Sequence, residues 1–260
     1  MINEEKYMVG LKKYQNGMGA VRAAGEAHIS YIEFRKFLKE KNVWRNPTSY
    51  DNLYPQFKNI DSEEKAYWLG FLYADGSVSS TNNNIELALA EKDYDHLVKF
   101  ASFMGIKKDK IKKRVDKNNF ISYRVIITNK DLKQDLIDKG CTPRKSLNLL
   151  FPSEEKVPKH LLKHFVRGYI DGDGSIGRYR ENKDRVQLQI LGTPEFLNSL
   201  IYNMGWKKLS FGHNKHHSDK TYFAIWEAKY VQDYLNEIYL DANIYLTRKY
   251  EIALPFFVEK

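Results

Sequence analysis

The chain has 260 residues, with 42 Lys and Arg against 33 Asp and Glu, a net charge of +9. A 42% hydrophobic fraction with 14% aromatic residues suffices for a packed core, and this excludes a disordered chain. One cysteine, Cys141, excludes a disulfide scaffold and a cysteine-rich zinc module. No apolar run approaches the roughly 20 residues that span a bilayer, and the opening MINEEKYMVG lacks the basic-then-apolar order of a leader. The positive balance favours a polyanionic partner, nucleic acid first, inside a cell.

Residues 1–60 carry 10 Lys and Arg against 6 Asp and Glu. Helical spacing predicts three helices here. The first covers 4–15, with Tyr7, Leu11 and Tyr14 on one face and Asn16-Gly17 as its stop; the second covers 18–24 and ends at Gly25. The third covers 30–41, capped by Ser30, with Phe34, Phe37 and Leu38 on one face and Arg35, Lys36 and Lys39 on another. A short helix, a glycine turn and a basic amphipathic helix make a helix-turn-helix-like DNA contact, with Arg35, Lys36 and Lys39 as its cations. The alternative is a helical arm that only packs on the main body. Residues 46–59, with Pro47 and Pro55, read as a linker.

From residue 61 the chain repeats itself. The run AYWLGFLYADGSV at 66–78 matches FVRGYIDGDGSI at 165–176, and Asp75 and Asp173 are 98 residues apart. Alternating strand-like runs follow at 85–90 and 186–190. A helix then ends at Met104-Gly105 in one copy and Met204-Gly205 in the other, 100 apart. Further strand signals at 123–128 and 222–226 each precede a helical stretch. The copies close on Arg144-Lys145 and Arg248-Lys249, 104 apart. A register held over four landmarks is a duplication. The expected fold is α+β: two pseudo-symmetric αββαββα halves, 61–160 and 161–260, behind the small helical segment 1–60.

As helices, the repeated runs present apolar faces interrupted by Gly70 and Gly168. Glycine inside a helix costs about 1 kcal/mol relative to alanine, so its recurrence points to close backbone approach. Ala74 and Gly172 extend that narrow seam. Packed in parallel, the two helices deliver Asp75 and Asp173 together at one end. Two carboxylates there call for a cation, and hard oxygen ligands suit Mg²⁺.

Residues 68–76 and 166–174 resemble the two signature helices of the LAGLIDADG homing endonucleases, in the single-chain form with two fused copies. The resemblance covers about residues 61–260. It implies that the motif helices form the central interface. It also implies that Asp75 and Asp173 hold catalytic divalent metal, assisted by the Ala74 and Gly172 carbonyls, and that the sheets of both halves form a β-saddle on DNA. The activity implied is site-specific hydrolysis of both DNA strands, leaving short 3′ overhangs. Mg²⁺ is the expected cofactor, with Mn²⁺ able to substitute and Ca²⁺ binding without supporting cleavage. Lys145 and Lys249, placed just before the final helix of each half, resemble the family's active-site lysines, and Lys92 is a third candidate. Tyr73 departs from the pattern by standing where the motif's first acid would be; Asp171 retains that acid in the second copy.

Candidates for DNA contact are strand positions alternating with the core: Asn82, Asn84, Glu86, Lys112, Arg114 and Arg124 in the first half, and Arg178, Arg180, Arg185, Gln187 and Gln189 in the second. Arg and Gln pair bidentately with guanine and adenine edges, while most lysines hold phosphates. The alternative is the ordinary polar face of a half-buried sheet. Three other signals fail. The run from Asp171 lacks the glycine and glutamate of a calcium loop. His213, His216 and His217 have no accompanying acidic motif for an HNH-type site, and no nucleotide-binding glycine loop is present. The expectation is therefore a monomeric endonuclease for a long duplex target, from a prokaryotic or phage mobile element and acting in the cytoplasm or nucleoid, rather than an intein. The rival is a LAGLIDADG scaffold reused as an RNA maturase or transcription regulator that binds without cutting.

Overall fold

The computed structural model describes residues 4–16, 18, 20–43, 54–145, 148–178, 186–207, 210–213, 221–225 and 228–257. The chain divides into two compact units, Met1–Asp51 and Asn52–Lys260.

The smaller unit contains α1 (Glu4–Gln15), α2 (Ala20–Glu26) and α3 (Tyr31–Glu40). Its own core gathers Tyr7, Leu11, Tyr14, Ala23, Ala24, Phe34 and Leu38. The second helix lies two residues later than the sequence suggests and runs through Gly25, where nothing crowds the backbone. It stops instead at His28, which takes the left-handed conformation (φ 54°) while the Ile29 N–H bonds the Ala24 carbonyl. Ser30 occupies the N-cap position of α3, but its side chain makes no capping hydrogen bond.

The larger unit begins before residue 61: Phe57 and Ile60 are buried in its core. Its first half runs α4 (Glu63–Ala74), β1 (Gly76–Val78), β2 (Asn84–Ala90), α5 (Tyr94–Phe103), β3 (Lys112–Val115), β4 (Ile121–Thr128) and α6 (Lys130–Lys139). The second half repeats this order as α7 (Leu162–Asp173), β5 (Gly174–Arg178), β6 (Val186–Gly192), α8 (Pro194–Met204), β7 (Ser210–His213), β8 (Thr221–Ile225) and α9 (Ala228–Tyr239), and adds α10 (Thr247–Ala253). Each half contributes one antiparallel four-stranded sheet, in the order β1-β2-β4-β3 and β5-β6-β8-β7. Gly105 and Gly205, both at φ 65°, end α5 and α8 in the same left-handed turn.

The most extensive contact between elements joins α4 to α7. The glycine seam explains it. A methyl on Gly70 would collide with the Phe165 carbonyl, one on Gly168 with the Tyr67 carbonyl, and one on Gly172 with the Ala74 side chain. Gly70 and Gly168 interlock where the helices cross, and the next contact, Ala74 and Asp75 against Gly172, lies later in both, so the helices are parallel and both carboxyl ends meet. Tyr67, Trp68, Leu69, Phe71, Phe165, Val166, Tyr169 and Ile170 surround the seam and are buried, which makes this interface the centre of the core.

Candidate metal and nucleic-acid site

Each motif helix runs straight into the first strand of its sheet, and each aspartate marks that junction. Asp75 is the C-cap of α4 and Asp173 the last residue of α7. Because α4 and α7 are parallel and touch at Ala74 and Gly172, the two carboxylates are neighbours. The missing side chain at Gly172 leaves the space that the Asp75 carboxylate borders. Burial of its surroundings and the Asp173 charge push Asp75 up to about 6, while Lys249 and Lys145 pull it back. Asp75 nevertheless keeps an exposed side, so water moderates this effect and an incoming cation has access. The Tyr169 hydroxyl lies beside Asp173 and donates to the Leu191 carbonyl at 2.8 Å. Its counterpart in the first half, Phe71, has no hydroxyl.

The structure places Lys145 and Lys249 differently from the expectation. Lys145 follows α6, and Lys249 lies inside α10 rather than before it. Both are buried and reach back to the ends of the motif helices. The Lys145 ammonium donates to the Ala74 carbonyl at 3.3 Å and to that of Gly76. The Lys249 ammonium donates to the carbonyls of Ile170, Asp171, Gly172 and Gly174 at 2.7, 2.7, 3.3 and 2.6 Å. Both lysines thus satisfy last-turn carbonyls and oppose the negative end of the helix dipole. Burial lowers Lys249 to about 8, and the Asp171, Asp75 and Asp173 charges resist that shift. Lys92 is exposed in the turn Glu91–Asp93 after β2.

Three groups around this centre were not among the expected site residues. Asp171 is buried and accepts the Tyr67 and Tyr239 hydroxyls at 2.7 and 2.5 Å and the Leu246 N–H at 2.7 Å. Arg248 of the second half clamps Asp93 of the first through two bonds of 2.7 and 3.0 Å. Arg167, fully buried in α7, donates to the Ile244 and Ile238 carbonyls and to Glu63 at 2.6 Å. A lone arginine in the apolar face of a motif helix was the available signal, since an unpaired buried charge is too costly to keep.

The register settles which proposed contact residues share a face. In the first sheet Ile85, Leu87, Val125 and Ile127 point into the core. Asn84 pairs with Thr128, Glu86 with Ile126, Lys112 with Arg124 and Arg114 with Ser122, so Asn84, Glu86, Lys112, Arg114 and Arg124 all belong to the opposite face. Glu86 and Arg124 form an ion pair there at 3.5 Å. Asn82 lies in the β1–β2 turn, where its side chain accepts the Asn84 N–H at 2.9 Å. Ile126 joins this face and was not anticipated. In the second sheet Gln187 and Gln189 alternate with buried Val186, Leu188 and Ile190. Arg178 pairs with Val186 rather than with either glutamine. Arg180, Arg185, His216 and His217 lie outside the described residues, as does Trp226, the predicted end of the last strand.

The donors at this end of the seam fit a divalent ion. Two neighbouring carboxylates, of which Asp75 is raised first by burial and then by the Asp173 charge, and the carbonyls of Ala74 and Gly172 make a hard-oxygen set open to solvent on one side, which fits Mg²⁺ with retained water. No group of three His, Cys, Asp or Glu side chains that could hold a metal ion occurs among the described residues. No helix among the described residues is long and apolar enough to cross a membrane.

No protein-family model and no curated protein matches the chain. Among solved structures, it is similar to the LAGLIDADG meganuclease I-AabMI bound to uncleaved DNA, at 12% identity over 73% of this chain and 87% of that one, TM-score 0.47. It is also similar to the I-LtrWI LAGLIDADG homing endonuclease bound to target DNA, at 13% identity over 75% and 90%, TM-score 0.46. A third is the meganuclease I-SmaMI bound to uncleaveable DNA, at 15% identity over 74% and 88%, TM-score 0.45.

Proposed function

We propose that the chain is a site-specific, metal-dependent DNA endonuclease of the LAGLIDADG type, working as a single chain because both halves of its site are fused. The observation that carries this reading is the delivery of Asp75 and Asp173 to one open end of the α4–α7 seam, each at the start of a sheet. Asp75 and Asp173 would hold Mg²⁺, with the Ala74 and Gly172 carbonyls beside them. When bound, the ion neutralises phosphate charge, lowers the pKa of an attacking water and stabilises the leaving 3′ oxygen.

The rest is done by the chain. Lys145 and Lys249 fix the ends of the motif helices, and so the spacing of the carboxylates, through backbone carbonyls. Their cationic charge also lies close enough to act on Asp75. The outward faces of the sheets follow the duplex, with Lys112, Arg114 and Arg124 toward phosphates or guanine edges and Gln187 and Gln189 toward adenines. Pseudo-symmetry about the seam presents equivalent groups to the two antiparallel DNA strands.

The test is cleavage of duplex DNA with Mg²⁺ by the wild type and by Asp75→Asn and Asp173→Asn. Each variant should lose double-strand cutting by at least about a hundredfold and bind DNA within a few-fold of wild type. Full cutting by either variant sinks the ligand assignment. Binding without cutting by the wild type, in Mg²⁺ and in Mn²⁺, supports the maturase or regulator reading instead.

A further inference from the structure

We infer that α3 is a second, sequence-reading contact with duplex DNA, in which Ile32 meets the C5 methyl of a thymine in the major groove and Arg35, Lys36 and Lys39 hold the DNA around it. Phe34 and Leu38 are fully buried in the small unit's core and fix the rotation of α3. Ile32, Arg35, Lys36 and Lys39 then fall at i, i+3, i+4 and i+7, one stripe on the opposite face. All four are exposed, Ile32 by 77%. Glu33 lies off the stripe, where its carboxylate accepts the Tyr7 hydroxyl of α1 at 3.2 Å.

The composition of the stripe selects the partner. A protein groove or a bilayer is engaged by several apolar anchors at helical spacing. Here a single apolar side chain is set among three cations, which fits a polyanion that also displays isolated methyl groups. The major groove offers both, since the thymine methyl is one of its sequence marks. The local geometry agrees. Four residues separate α2 from α3, with His28 in the left-handed conformation at the bend, the length of a helix-turn-helix connection. An α-helix with its side chains is about 10–12 Å across, which a groove about 12 Å wide admits, and the ten residues of α3 run about 15 Å along it.

This inference rests on DNA being the partner, but not on cleavage. The full chain is used to select from a randomised duplex library in Ca²⁺, and the selected duplex is then measured with thymines replaced one at a time by uracil, which removes only the methyl. We expect one thymine outside the central segment whose replacement weakens wild-type binding about fourfold. Ile32→Ala should weaken binding to the thymine duplex by a similar factor and ignore the replacement. Lys36→Ala and Lys39→Ala should each reduce the slope of log affinity against log salt by about one. An Ile32→Ala chain with the wild-type selection and the wild-type uracil sensitivity overturns the inference, as do unchanged salt slopes in both lysine variants. Cutting without any flanking thymine preference removes this inference and leaves the nuclease reading standing. A flanking preference without cutting does the reverse.

Discussion

Tyr73 and Asp171 stand at equivalent positions of the two motif helices and make the same connection with opposite chemistry. The Tyr73 hydroxyl donates to the Lys139 carbonyl at the end of α6, whereas Asp171 accepts the Tyr239 hydroxyl at the end of α9. Tyr73 therefore ties α4 to α6 as Asp171 ties α7 to α9. Asp171→Asn should leave DNA cutting measurable while lowering stability by about 1–3 kcal/mol in urea unfolding, because a fully satisfied buried acceptor set is disrupted. Lys249→Met removes an ammonium that lies against four backbone carbonyls and should cost more than Lys145→Met, whose ammonium lies against two; equal losses would contradict the capping role. His96 is buried and neutral. Its Nε2 bonds the Tyr67 hydroxyl at 2.9 Å, and burial lowers it from 6.5 to about 3. A histidine depressed in the folded state contributes stability above its unfolded pKa and loses it as pH falls toward the folded value. The stability advantage of wild type over His96→Gln should thus be constant above pH about 7 and shrink below it by about 1.4 kcal/mol per pH unit. An advantage that is flat down to pH 4 would show that His96 is not held neutral.

At the level of elements, α4 and α7 depend on glycine for contact, not for flexibility. Gly70→Ala and Gly168→Ala each set a methyl against facing backbone, and backbone cannot rotate away, so each should cost about 3 kcal/mol or more. Gly25→Ala, in an uncrowded turn of α2, should instead stabilise the small unit by about 0.5–1 kcal/mol. Thermal melts of the three variants separate the two cases, and a well-tolerated Gly70→Ala would break the parallel-seam account. This seam was legible in the sequence because Gly70 and Gly168, and Asp75 and Asp173, keep one offset of 98 residues. The paired lysines were legible as a repeat but not in their role, since the carbonyls they serve lie about 70–80 residues earlier in the chain. Arg248 was seen only as half of a dipeptide. Its partner Asp93 belongs to the other half of the protein, and nothing local marks it. The end of α2 was misread because the residue in the left-handed conformation is His28, while the glycine nearby is ordinary helix. The pairing of Arg178 with Val186 was not legible, because only the register reveals it.

At the scale of the larger unit, its two halves share one interface and are cross-braced at both ends. Arg167 of α7 reaches Glu63 at the start of α4, Arg248 reaches Asp93, and Tyr67 reaches Asp171 between them. Such bracing holds the two carboxylates in register within one chain, as the proposed cutting of both strands at fixed spacing requires. The most direct test is digestion of a randomised duplex DNA library by the full chain with Mg²⁺, followed by sequencing of the ends. The account predicts one long preferred sequence cut on both strands with short 3′ overhangs, and no such ends from Asp75→Asn or Asp173→Asn. Bound but uncut DNA in both Mg²⁺ and Mn²⁺, or identical ends from either aspartate variant, would contradict it.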